Sequence, residues 1–285
     1  MADVTYLVPL VLNALTLISI LMLVALGLAV IFGLMNVINL AHGEFVTIGA
    51  YTLAFVQAAG GSYWHGLLLA PVVGAIAGLT IERGMIQYLY TRPLATILAT
   101  WGLSLILQQS IQLLFGPAPQ RVDSPIVGSV SVLGSNYPGY RLLLIVLALV
   151  LVAACIAVFR WSRFGLDLRA VIQNREVAEA MGIDTRRVYA TAFAGGAALA
   201  AIAGVLIAPL TAVIAQMGVN YLARSFFVVI LGGTGGIAGV GAGSALVGGL
   251  ETILNYQIPV TVSQALVLML AIVIIRFRPQ GLIPG

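Results

Sequence analysis

Between Asp3 and Glu44 the sequence carries no charged side chain. A stretch of that kind constrains the fold more than any motif. A helix needs roughly 20 apolar residues to cross a hydrocarbon core about 30 Å thick, and this stretch exceeds that. The pattern extends through the chain, which is 61% hydrophobic and only 8% charged. Soluble domains carry about 25% charged residues, so this chain has too little charge to cover a water-facing surface. In lipid, backbone polar groups must be satisfied within the fold, which leaves helices or closed barrels. The apolar runs are long and do not alternate, so helices are predicted.

The expected architecture is an all-α polytopic membrane protein, a single transmembrane domain over residues 1–285. Spans are predicted near 7–32, 45–58, 66–89, 94–115, 142–159, 189–214 and 262–275. Residues 1–4 hold no basic segment of the kind that opens a cleaved signal peptide, so the first span is expected to be retained. Residues 116–140 contain Pro117, Pro119, Pro125 and Pro138 and read as an exterior loop. Residues 225–254 are apolar but interrupted by Gly232, Gly233, Gly235, Gly236 and Gly239. That segment is too long for one span, so it is expected to form a glycine-hinged helix pair or a re-entrant element. The total comes to about eight spans. Small residues spaced four apart, as at Gly74/Gly78, Gly232/Gly236, Gly235/Gly239 and Gly239/Gly243, let helix backbones approach closely in lipid.

Every one of the 13 basic residues is arginine. Six of them lie between Arg160 and Arg187, which makes 160–188 cytoplasmic by the positive-inside rule, together with Arg276 and Arg278. Counting spans backwards places 116–140 outside. The arginines form no single patch, so no nucleic-acid partner is expected. Without lysine, a nucleotide-binding loop of the Walker A type cannot be built, nor a Schiff-base site. One cysteine, Cys155, and two histidines leave little for a catalytic cluster, and His42 with Glu44 is too sparse for a metal site. The chain is therefore not expected to be an enzyme or to hold a cofactor. His65 beside Tyr63 and Trp64 fits an interfacial aromatic belt.

Two segments carry the functional signal. In 160–188, Asn174 is placed to cap a short helix, Glu176 sits in its first turn, and Gly182 suits the residue that closes it. Val177, Ala178 and Met181 have one-face spacing, with Arg175 and Glu179 four apart on the other side. The apolar face either packs on the protein's own surface or enters a partner's groove. The second segment, 36–44, brings Asn36, Asn39, His42 and Glu44 into an apolar region. Such residues either mark a substrate path or cap the next span at the interface. Gln108 and Gln112 share one helical face, and Thr234 lies at the glycine hinge; with Gln109, Glu251 and Asn255 they are further path candidates or interhelical hydrogen-bonding groups.

The run from Ala25 to Leu34, continuing through Val37-Ile38-Asn39-Leu40-Ala41-His42-Gly43-Glu44-Phe45 to Gly49-Ala50-Tyr51, resembles the N-terminal signature of the branched-chain amino acid ABC-transporter permeases. The likeness recurs at Arg92-Pro93-Leu94, Leu103-Ser104-Leu105-Ile106-Leu107-Gln108, Phe164-Gly165, Met181-Gly182-Ile183, Leu231-Gly232-Gly233 and Arg278-Pro279-Gln280-Gly281-Leu282. Residues 94–109 and 171–175 are also similar to the urea and short-chain amide branch, and Thr100-Trp101-Gly102 departs from the branched-chain pattern.

The resemblance implies an inner-membrane importer subunit. It would pair with a second homologous permease or a second copy, two cytoplasmic ATPases and a periplasmic substrate-binding protein. ATP and Mg would sit on the ATPases. Residues 174–182 would be the coupling helix, and cargo would pass by alternating access. A secondary transporter or channel working without an ATPase is the competing reading, since glycine-broken helices suit such proteins.

Overall fold

The computed structural model describes residues 2–35, 39–90, 92–233, 236–278 and 280–283. Long helices dominate. In chain order they are α1 (Ala2–Met35), α2 (His42–Ala58), α3 (Tyr63–Gly84), α4 (Pro93–Phe115), α5 (Gly139–Trp161), α6 (Arg163–Gln173), α7 (Arg175–Ala180), α8 (Thr185–Ile207), α9 (Met217–Gly232), α10 (Gly236–Asn255) and α11 (Val260–Phe277). Among the described residues, seven helices are long and apolar enough to cross a membrane; α9 is apolar but shorter. The glycine-rich segment resolves into α9 and α10. Gly233 and Gly236, with φ of +80° and +64°, flank the break.

Three features differ from the sequence reading. The span expected over 45–58 lies in α2, which has 17 residues and is not among the seven. The 116–140 loop contains a β-hairpin, β1 (Ser129–Val132) with β2 (Ser135–Pro138), antiparallel and registered Val132 to Ser135. Leu133 and Gly134 form its two-residue turn with φ of +48° and +84°, the positive values that suit the strand twist. The period-2 run Ser129-Val130-Ser131-Val132 is the local signal for it. The 160–188 loop is also more ordered than expected. It holds α6 as well as α7, and Ser162 caps α6 by accepting from the Gly165 N–H.

The chain divides into two compact units, 1–25/124–151/223–285 and 26–123/152–222. In the second, α2, α3 and α8 make the core. Small residues let these helices approach closely. A Cβ added to Gly204 would lie 1.9 Å from the Val46 carbonyl, and one on Gly74 would lie 2.6 Å from the Ala201 Cβ. Lipid supplies no hydrophobic force between helices, so stability comes from close van der Waals fit. The alanine- and glycine-rich sequence of α8 follows from that: Ala197, Ala200 and Ala201 are fully buried.

In the first unit, Gly232 packs against Gly239, and Gly243 against the Val228 carbonyl. The hairpin is tied to α1 there. Tyr137 Oη donates to Asn13 Oδ1 at 3.0 Å and lies 3.1 Å from Thr16 Oγ1, and Arg141 also bonds to Asn13.

Candidate functional site

The α4 helix buries a polar stripe. Thr96, Thr100, Ser104 and Gln108 recur every four residues, so they share one face, and none is more than 9% exposed. Leu94, Leu98, Trp101, Leu105 and Ile106 face outward. This reverses the arrangement of a soluble helix because polar groups are costly in hydrocarbon and turn inward.

Each stripe residue has a defined partner. Thr96 Oγ1 donates to the Leu89 and Arg92 carbonyls at 2.8 and 3.0 Å. The Leu40 N–H donates to Thr100 Oγ1 at 3.2 Å. Ser104 Oγ and Gln108 Nε2 both donate to Glu44 Oε1, at 2.7 and 2.8 Å. Glu44 is wholly buried in the first turn of α2.

Asn39, His42, Glu44 and Gln108 thus lie around one end of α2 and one face of α4. Asn39 Oδ1 accepts from the Ala41 N–H at 3.0 Å, closing a turn before the helix. It is not the helix cap, and His42 is not either, because Ala41 holds that position with no side-chain bond. His42 is buried edge-on against Phe45. Gln112 is half-buried one turn beyond Gln108. Asn36 and Thr234 lie outside the described residues. Thr96, Thr100 and Ser104 complete the buried stripe to which Gln108 belongs, and their four-residue spacing with Gln108 is legible in the sequence. Glu251, another path candidate, is held in an ion pair with Arg224 at 3.2 Å and accepts from Gln264 Nε2 at 3.1 Å.

The second site is α7. Asn174 Oδ1 accepts from the Val177 N–H at 3.1 Å, which caps the N-terminus. At the other end, Gly182 adopts φ +84° and the Ile183 N–H reaches the Ala178 carbonyl at 3.0 Å. That is the closing bond of a left-handed glycine terminus. Arg175 Nε and Glu179 Oε1 pair at 2.9 Å, and Thr185 Oγ1 donates to the same oxygen at 2.7 Å. The Thr185 hydroxyl and then Arg175 hold the Glu179 carboxyl below the usual range, and the bond to Glu179 raises Arg175. Glu176 lies exposed in the first turn.

One expectation about α7 is corrected. Val177, Ala178 and Met181 do not form a single face. Ala178 is 3% exposed and packs inward, whereas Val177 and Met181 are 57% and 79% exposed. Residues i and i+4 overlie one another on a helix and i+1 is turned away by about 100°, so the pair Val177/Met181 separates from Ala178.

The buried polar stripe, the glycine-mediated packing and the seven apolar helices define a multi-pass helical membrane protein. The sequence matches, over residues 10–276, the family described as "Branched-chain amino acid transport system / permease component". The chain belongs to that family, and with it to the inner-membrane permeases. It is 28% identical to the high-affinity branched-chain amino acid transport system permease protein LivH of Salmonella typhimurium, over 95% of this chain and 93% of that protein. Identity to BraD of Pseudomonas aeruginosa, a permease protein of the same description, is also 28%, over 95% and 94%. To the permease protein LivM of Escherichia coli K12 it is 26%, over 94% of this chain and 69% of that protein. No solved structure gives a significant match.

Proposed function

We propose that this chain is one permease subunit of an ATP-binding cassette importer for branched-chain amino acids. It pairs with a second homologous permease, receives two ATPases on its cytoplasmic side, and takes cargo from a periplasmic binding protein on the side of the hairpin loop. The observation that carries the reading is α7. A six-residue helix is too short to be stable by itself, yet this one is capped at both ends, braced by Glu179, and presents Val177 and Met181 outward. That is what a docking helix requires.

The relatives named for branched-chain amino acid transport support the cargo. The departure at Thr100-Trp101-Gly102 weighs little against it, because Trp101 is 56% exposed on the outer face of α4, away from the polar stripe. Asn39, His42, Glu44, Gln108 and Gln112 form the polar part of the path in this reading. Asn39 Nδ2 and Glu44 Oε2 have no hydrogen-bond partner of good geometry among the described residues, which leaves capacity for water or cargo. Alternating access would open and close that region.

The test is uptake in proteoliposomes holding the purified complex, its binding protein and internal ATP. ATP-dependent accumulation of labelled leucine is expected, and Met181→Asp should abolish it while the chain still folds. Accumulation of urea instead of leucine would move the cargo to the amide branch. Transport by this chain with no ATPase present would overturn the importer reading.

A further inference from the structure

The aromatic and charged side chains between α7 and the membrane-spanning core form a continuous stack. Arg175 opens α7, and its guanidinium lies 5.6 Å from the centre of the Tyr189 ring on α8. The Tyr189 ring packs on that of Tyr90 with centroids 4.6 Å apart and an interplanar angle of 38°. Tyr90 Oη donates to Glu82 Oε1 on α3 at 2.5 Å. Tyr189 Oη donates to the Leu34 carbonyl at the end of α1, at 3.2 Å. Glu82 is 1% and Tyr189 8% exposed.

The stack has two ends in the core. Through Tyr90 it reaches α3 by Glu82, and the connection to α4, whose Thr96 hydroxyl binds the neighbouring Leu89 carbonyl. Through the Tyr189 hydroxyl it reaches Leu34. Among the described residues, this aromatic route from α7 to the ends of α1, α3 and α4 runs through Tyr189, beside the Glu179–Thr185 bond that also joins α7 to α8.

We infer that Tyr189 and Tyr90 are positioning residues that transmit movement of α7 to the ends of α1, α3 and α4. The inference rests on the reading of α7 as the ATPase docking helix. Three properties suit the role. Both rings are rigid, with few rotatable bonds, so a displacement of Arg175 is passed on instead of being absorbed. A cation held over a ring by Glu179 is a directional contact. The buried Glu82 side chain fixes the far end through the 2.5 Å bond from the Tyr90 hydroxyl. A packed interface of this kind moves between discrete arrangements and does not deform continuously.

The test compares Tyr189→Leu, Tyr189→Phe and Tyr90→Leu in the complex purified with its ATPases. The readouts are the ATPases retained, ATP hydrolysis with and without the loaded binding protein, and uptake of whichever of leucine or urea the wild type accumulates. Tyr189→Leu and Tyr90→Leu are expected to retain the ATPases and basal hydrolysis. Stimulation by the binding protein and uptake per ATP should both fall about tenfold. Tyr189→Phe keeps the ring and should recover most of both. If Tyr189→Leu does not reach the membrane, Tyr90→Leu, which leaves α7 and α8 intact, carries the same test. Unchanged stimulation and uptake overturn the inference, and so does loss of the ATPases, because that makes the tyrosines part of the dock. A wild type that holds no ATPase would instead overturn the functional reading itself.

Discussion

Gln108 donates a 2.8 Å hydrogen bond to Glu44 Oε1 from a helix 64 positions away in sequence, and neither side chain is more than 9% exposed. One side-chain oxygen of α2 thereby takes hydrogen bonds from two residues of α4. Replacing Gln108 with Leu would remove one of the hydrogen bonds that the buried Glu44 side chain accepts, leaving Ser104 and Thr47. Leaving a buried acceptor short of a partner costs about 1–3 kcal/mol, more where the group is charged. Gln108→Leu should therefore lower the unfolding temperature of the detergent-solubilised protein. Gln108→Glu should lower it further, by placing two carboxyl groups together. An unchanged melting temperature in both would show that α2 and α4 do not depend on this bond.

The packing of α2 on α8 gives a sharper contrast. A Cβ at Gly204 would come within 1.9 Å of the Val46 carbonyl, whereas one at Gly195, on the same helix, would meet nothing within 4 Å. Backbone cannot yield as a flexible side chain can. Overpacking a core typically costs about 1–3 kcal/mol, and a clash with backbone falls at the upper end. Gly204→Ala should sharply reduce the yield of folded protein in the membrane, and Gly195→Ala should leave it unchanged. Equal yields would contradict the close approach.

Much of this was legible beforehand. Charge-free runs located most of the spans, because lipid admits few alternatives to helix; α2, read as a span over 45–58, is too short to stand among the seven. Asn174 and Gly182 bounded α7, because caps are local chemistry read within four residues. What was not legible depended on pairing at a distance. Nothing local to Glu44 indicates Ser104 or Gln108, although the four-residue rhythm of Thr96, Thr100, Ser104 and Gln108 marks a polar face. Tyr189 and Tyr90 look like ordinary interfacial tyrosines until Arg175 is placed over one of them. The division of Val177 and Met181 from Ala178 depends on how α7 sits against α8. The hairpin was hidden by the four prolines of the 116–140 loop, of which only Pro138 lies in a strand.

Protonation should loosen α7, but only in acid. Thr185 and Arg175 together hold the Glu179 carboxyl below its ordinary pKa, so the folded state binds its proton less readily than the unfolded one. The brace is thus fully present above the ordinary glutamate pKa of about 4.3 and is lost as pH falls through the lower folded value. Hydrogen exchange of the α7 amides, corrected for the intrinsic pH dependence, should show constant protection from about pH 5 to 8. Protection should fall at more acidic pH. Glu179→Gln should remove that acid step. A loss of protection between pH 5 and 7, or the same acid step in the glutamine variant, would rule out Glu179 as its origin.

The Arg224–Glu251 pair separates a structural role from a place on the cargo path. Their side chains are 17% and 3% exposed, so removing either leaves a charge in a region of low dielectric. Breaking a buried pair from one side costs about 3–5 kcal/mol, whereas replacing both partners is often neutral. Arg224→Gln and Glu251→Gln should each destabilise the protein. Combined, they should regain most of the lost stability, since two amides can bond to each other and to Gln264. If the pair serves only to hold α9 against α10, uptake in the double variant should recover in step with the melting temperature. Recovery of stability without uptake would place Glu251 on the path, and failure of stability to recover would show that Arg224 holds α9 through contacts other than Glu251.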